Sequence, residues 1–106
     1  MLPDASDLLA KTTVDTGIDF LWIDTEHTRY GIEAVAMVPV ICRAAGCVPI
    51  VRVAELSQGM IKKVLDSGAR GVMVPQINGA REARLAVEYA KYPPQGSRGV
   101  SPWWTP

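Results

Sequence analysis

Histidine is nearly absent from this chain: His27 is the only one in 106 residues. Proton exchange by an imidazole near neutral pH therefore has one place to happen. Charge of one sign is not in excess either, with 11 basic and 11 acidic residues. That balance excludes the basic field of a nucleic-acid binder and the charge blocks of a tail or membrane-surface segment. Cysteine is limited to Cys42 and Cys47, whose spacing matches no zinc or redox motif, so both read as reduced and mostly buried thiols. No apolar run approaches the roughly 18 residues of a membrane helix. The first seven residues lack the basic start and apolar core of a secretion signal. The expectation is a cytoplasmic protein with neither a nucleic-acid nor a membrane partner.

What the chain does have is apolar residues, at 48%, which suits parallel strands covered on both faces. Its length allows one domain at most. Residues 4–16 are predicted helical, capped by Asp4 or Ser6, with Leu8, Leu9 and Val14 inward and Gly17 as the stop. Residues 18–23 read as the first strand and 48–53 as the second. Between them, 32–45 is helical with Pro39 inside, which predicts a kink or a late start. Ser57 caps a helix over 58–67 that Gly68 closes. Gly71 to Pro75, apolar throughout, is expected to be the central strand. Asn78 is expected to cap a helix over 79–91, with Ala83, Ala86, Val87 and Ala90 inward, and 92–106 reads as a loop tail.

Three strand–helix units of about 25 residues imply parallel strands with right-handed crossovers. An open doubly wound sheet and a segment of a (β/α)₈ barrel both satisfy this order. No glycine-rich phosphate fingerprint follows the first strand. Polar residues gather at the strand ends: Asp24, Glu26 and His27 after the first, Arg52 in the second, Gln76 after the third. That is where a barrel keeps its chemistry. His27 is a candidate acid–base group, with Asp24 or Glu26 available to orient its ring. Arg52 lies in an apolar run, where a guanidinium must be paired or must bind an anion. It could grip a carboxylate or an enolate oxygen, or form an ion pair with Asp24 or Glu26, and the two roles are compatible. Asp24, Glu26 and His27 alone make a poor metal site, because neighbours in one loop rarely complete a ligand sphere. Trp103-Trp104 reads as core residues separated from what normally follows them.

With these residues in view, the chain resembles the HpcH/HpaI aldolase family of the phosphoenolpyruvate/pyruvate-binding barrel superfamily. The resemblance rests on Trp22 to His27, on Pro49 to Arg52, on Ile61 to Ala69 with Gly71 to Pro75, and on Tyr92 to Gly99. It implies a partial TIM (β/α)₈ barrel of three parallel strands alternating with helices, with residues 1–106 forming a single incomplete domain. It also implies reversible cleavage of a 4-hydroxy-2-oxo acid to pyruvate, or a related 2-oxo acid, and an aldehyde, assisted by a divalent metal (Mg2+, Mn2+ or Co2+). By position, His27 matches the family's acid–base histidine, Asp24 the carboxylate that orients it, and Arg52 the arginine on the enolate oxygen. Gln76 is expected to line the substrate pocket. Thr28-Arg29 departs from the small residue and proline of the pattern and bears on the choice of aldehyde.

The family's glutamate and aspartate metal ligands are expected beyond Pro106, so no metal ligand is assigned within the chain. A full barrel takes about 250 residues, and the chain is expected to be a fragment or a truncated product, inactive alone and homo-oligomeric at full length. Two other readings are a non-catalytic assembly module derived from such a barrel and an unrelated open-sheet binding domain.

Overall fold

Alternation along a run of β-formers puts Leu21 and Ile23 on one face of a strand and Phe20, Trp22 and Asp24 on the other. The computed structural model, which describes residues 6–101, builds the fold on that alternation. Helix α1 (Asp7–Val14) leads into strand β1 (Phe20–Asp24), and a 3₁₀ turn (Ile32–Val35) precedes helix α2 (Val38–Ala44). Strand β2 (Val48–Arg52), helix α3 (Gln58–Asp66), strand β3 (Gly71–Met73) and helix α4 (Ala80–Ala90) complete the order. The strands are parallel in the order β1-β2-β3, with Asp24 beside Arg52 and Arg52 beside Met73.

One face of this sheet is covered and the other is open. Leu21, Ile23, Pro49 and Val51 are buried toward the helices with Val35, Val38, Cys42, Ile61 and Val64. On the opposite face Phe20, Val48 and Met73 are all exposed. A doubly wound sheet carries helices on both faces, whereas a barrel carries them outside only. Coverage of one face therefore selects the barrel segment. Cys42 and Cys47 are free and buried as expected. Burial, with Cys47 alongside, pushes the Cys42 thiol up to about 12, which leaves it protonated and inert.

Local signals placed most helix ends. Ser6 Oγ accepts from the Leu9 N–H at 3.4 Å, and Ser57 Oγ from the Met60 N–H at 3.4 Å. Pro39 sits in the first turn of α2, so the proline delays the helix start instead of kinking it. Gly68 follows α3 with φ at +99°, the left-handed turn that a glycine stop supplies.

Four expectations are corrected. The central strand is β2, and β3 pairs on one side only among the described residues. Its continuous apolarity reflects one face against α3 and one toward the barrel interior. Leu8 is 75% exposed, because α1 turns Ala10 and Val14 toward its neighbour α2. Gly79, not Asn78, is the N-cap of α4. The Glu82 carboxylate reaches back to the Asn78 N–H at 2.6 Å, while the Asn78 amide donates to the Gln76 carbonyl at 2.9 Å. Finally, α4 leans on Tyr89 and Ala90, leaving Ala83 and Val87 exposed. Those two residues border an open concavity of about 640 Å3 shared with Pro94 and Gly96. The Trp103-Trp104 reading lies outside the described residues. No helix among them is long and apolar enough to cross a membrane.

Candidate functional site

Parallel strands end on the same side, so the side chains that close β1 and β2 meet there. Asp24 and Arg52 are register partners, and both point to the open face of the sheet. Arg52 Nε donates to Asp24 Oδ1 at 2.9 Å, and Nη2 donates to Oδ2 in a second, shorter bond. This two-edged contact is the strongest pairing geometry a guanidinium offers a carboxylate. Asp24 Oδ1 also accepts the backbone N–H groups of Glu26 at 2.9 Å and His27 at 3.4 Å, folding the loop back over the strand end. Thr25 Oγ1 donates to the Arg52 carbonyl at 2.6 Å, and Thr28 Oγ1 to the Asp24 carbonyl at 3.0 Å. The loop is thus tied to both strands.

Asp24 is 1% exposed, the one charged side chain in the buried core among the described residues. Hydrogen bonding to Arg52 holds its carboxyl well below the usual carboxylate range, at about 2, against the opposing pull of burial. The Arg52 guanidinium is pushed up by the same contact. A carboxyl depressed in the folded state contributes stability that is present above its unfolded value and lost as the pH falls through the folded one. Asp24 is therefore expected to contribute about 2 kcal/mol above pH 4 and to lose it as the pH falls toward 2. Urea unfolding of the wild type and of Asp24→Asn across that window measures the difference. Parallel acid limbs in the two proteins would show that the ion pair adds nothing.

His27 projects from the loop, with its side chain 72% exposed. Its Nε2 lies 3.6 Å from Glu26 Oε2, and that same oxygen is 3.2 Å from Arg52 Nε. Asp24 meets His27 through the backbone N–H, so the carboxylate beside the imidazole ring is Glu26. Of the two carboxylates that the residue pattern offered to orient the ring, Glu26 is thus the one beside it, whereas the resemblance gave that role to Asp24. The signal for Glu26 was its place three residues or fewer from Asp24 and His27, and the register that brings Arg52 to it came from the fold. Gln76, in the left-handed region at φ 54°, follows β3 on the same side of the sheet. Its side chain has no hydrogen-bond partner among the described residues. A non-glycine residue held there is a strained position of the kind that gathers at binding sites.

Among the described residues no group of three or more His, Cys, Asp or Glu side chains could hold a metal ion. The chemistry of the donors agrees, since both Asp24 oxygens are taken by Arg52. The arrangement can orient a carboxylate or enolate and exchange a proton beside it.

The family model for HpcH/HpaI aldolase/citrate lyase matches residues 1–102. The hydroxypyruvate/pyruvate aldolase of Cupriavidus necator is 38% identical over 103 residues, covering 91% of this chain and 36% of that protein. The 2-keto-3-deoxy-L-rhamnonate aldolase of Klebsiella pneumoniae is 36% identical over 99 residues, covering 93% and 37%. The crystal structure of an HpcH/HpaI aldolase from Desulfitobacterium hafniense superposes with a TM-score of 0.87 at 28% identity, over 96% of this chain and 39% of that one. The chain spans well under half the length of each.

Proposed function

The chain belongs to the HpcH/HpaI aldolase/citrate lyase family, and from that premise we propose that it carries the proton-transfer and oxyanion half of a pyruvate aldolase site. The reaction is the reversible cleavage of a 4-hydroxy-2-oxo acid to pyruvate and an aldehyde. One observation carries the reading: Arg52 is clamped by Asp24 along its Nε and Nη2 edge, which leaves Nη1 without a protein partner among the described residues.

In the cleavage direction His27 takes the proton of the C4 hydroxyl, directly or through water, and the C4–O bond becomes the carbonyl of the leaving aldehyde. The C3–C4 bond breaks, and its electron pair passes through C2 to the keto oxygen. Arg52 Nη1 donates to that enolate oxygen, where fixed charge counts most. Return of a proton to C3 yields pyruvate. Asp24 keeps Arg52 oriented, Glu26 sits between the guanidinium and the imidazole, and Gln76 lines the pocket. The divalent ion that the resemblance implies does not fit the donors gathered here, and its ligands would be supplied by other residues.

The test is a chimera in which residues 1–102 replace the matching third of the Cupriavidus necator relative. Pyruvate release, followed with lactate dehydrogenase and NADH in the presence of Mg2+ or Mn2+, is expected from the chimera. His27→Ala is expected to lower it by about 10²–10⁴-fold. A folded chimera indifferent to that substitution would sink the reading. The 106-residue chain alone is expected to release none above background, and metal-dependent release from it would overturn the half-site account.

A second reading, an assembly module, is favoured by the exposed Phe20, Val48 and Met73 on the open face. It predicts a defined oligomer in sedimentation, whereas aggregation removes it.

A further inference from the structure

We propose that Trp22 is a positioning residue that holds the Arg52 guanidinium in its working plane. The proposal rests on the reading of Arg52 as the oxyanion donor. Trp22 and Asp24 are two residues apart on β1 and so share the open face of the sheet. Trp22 is the register partner of Ile50, one layer below the Asp24–Arg52 pair. From that layer its ring lies under the guanidinium, with Arg52 Cζ 4.9 Å from the ring centroid.

The two restraints on Arg52 act in different directions. Asp24 and Glu26 hold the edge that carries Nε and Nη2. An edge contact leaves the planar group free to rock about that edge, and a flat aromatic face beneath it removes the motion. Nη1 is then the one guanidinium nitrogen without a protein partner among the described residues, aimed by its neighbours and not by substrate. Preorganisation of this kind is what makes an oxyanion donor effective.

A second observation separates this role from simple packing. Trp22 Nε1 is buried with no hydrogen-bond partner among the described residues. A buried donor without an acceptor is unfavourable, and leucine or phenylalanine would fill the layer without one. The indole is therefore used here for its π-face, which is the strongest cation platform among the side chains.

The experiment is side-chain NMR on the 106-residue chain, with the Arg52 Nε–H resonance assigned by its loss in Arg52→Lys. In the wild type, Arg52 side-chain protons are expected to be shifted upfield by the indole ring current. Absence of that shift overturns the proposal without any substitution at Trp22. Trp22→Leu is expected to speed exchange of the Nε–H with water about tenfold, while Trp22→Phe retains most of the protection. Equal exchange in wild type and Trp22→Leu would overturn it too, because volume alone would then explain the residue. In the chimera, Trp22→Leu is expected to lower kcat/KM about tenfold and Trp22→Phe much less. Faster exchange with an unchanged kcat/KM would support Trp22 as the platform and count instead against Arg52 as the oxyanion donor.

Discussion

Alanine at Gly96 is expected to destabilise the chain by about 3 kcal/mol, at the upper end for forced overpacking. A Cβ there would stand 2.3 Å from the Glu88 carbonyl oxygen and 2.4 Å from that of Lys91. Both are backbone atoms at the end of α4, so neither can swing aside as a side chain would. The loop after α4 is docked through this glycine: the Ser97 N–H donates to the Glu88 carbonyl at 2.8 Å and the Arg98 N–H to the Lys91 carbonyl at 3.0 Å. Docking places Arg98 against Asp66 at 2.7 Å and over the Tyr92 ring at 4.5 Å, which joins the loop to α3. Relieving the clash lifts the loop and breaks these contacts together. Gly99→Ala is the control, since its Cβ would meet only Lys62 Cδ at 3.7 Å, and a change within about 0.5 kcal/mol is expected. Urea midpoints decide between them. Equal midpoints would mean that the loop does not close on α4 in this way.

Removal of the Arg52 guanidinium is expected to have the largest effect on chemistry. In the chimera, Arg52→Ala should lower aldol cleavage by about 10²–10³-fold, the usual cost of deleting one oxyanion donor. Arg52→Lys should recover little of it, because an ammonium cannot hold two edges of a carboxylate and still present a donor. The same substitution changes the acid behaviour of the fold. Without Arg52, burial is opposed only by the backbone N–H groups of Glu26 and His27, and the Asp24 carboxyl is expected to rise from about 2. The wild type loses stability as the pH falls from about 4 to 2, whereas Arg52→Ala is expected to lose less over that window, because its Asp24 carboxyl is less depressed. An Asp24 carboxyl still titrating near 2 in Arg52→Ala, by carbon-detected NMR, would refute the assignment of Arg52 as the cause.

Elements whose causes are local were legible in the residues. Ser57 and Gly68 bracket α3 because a hydroxyl cap and a left-handed stop act within one turn of themselves. Pro39 announced a disturbance, and only the preceding 3₁₀ turn resolved it as a late start. The inward face of α4 was legible only in part: Ala86 and Ala90 are half-buried as expected, whereas Ala83 and Val87, just as apolar, are exposed. Which stripe turns inward depends on the elements beside the helix. Uniform apolarity likewise made β3 look central, although Met73 is exposed and apolar residues on both faces say nothing about how many strands pair alongside.

The same division runs through the site. By itself the sequence determined which groups stand at the strand ends: the lone imidazole of His27, the Asp24 and Glu26 carboxylates beside it, and an arginine in an apolar strand that required a partner. These follow from residue type and from the two-residue period of a strand. The tertiary structure decided how they are shared. Parallel register sets Asp24 against Arg52 across 28 positions, which commits Asp24 to the guanidinium, leaves Glu26 beside the imidazole, and brings Trp22 beneath the guanidinium. Distances of this kind depend on how strands align, and alignment is a property of the packed sheet.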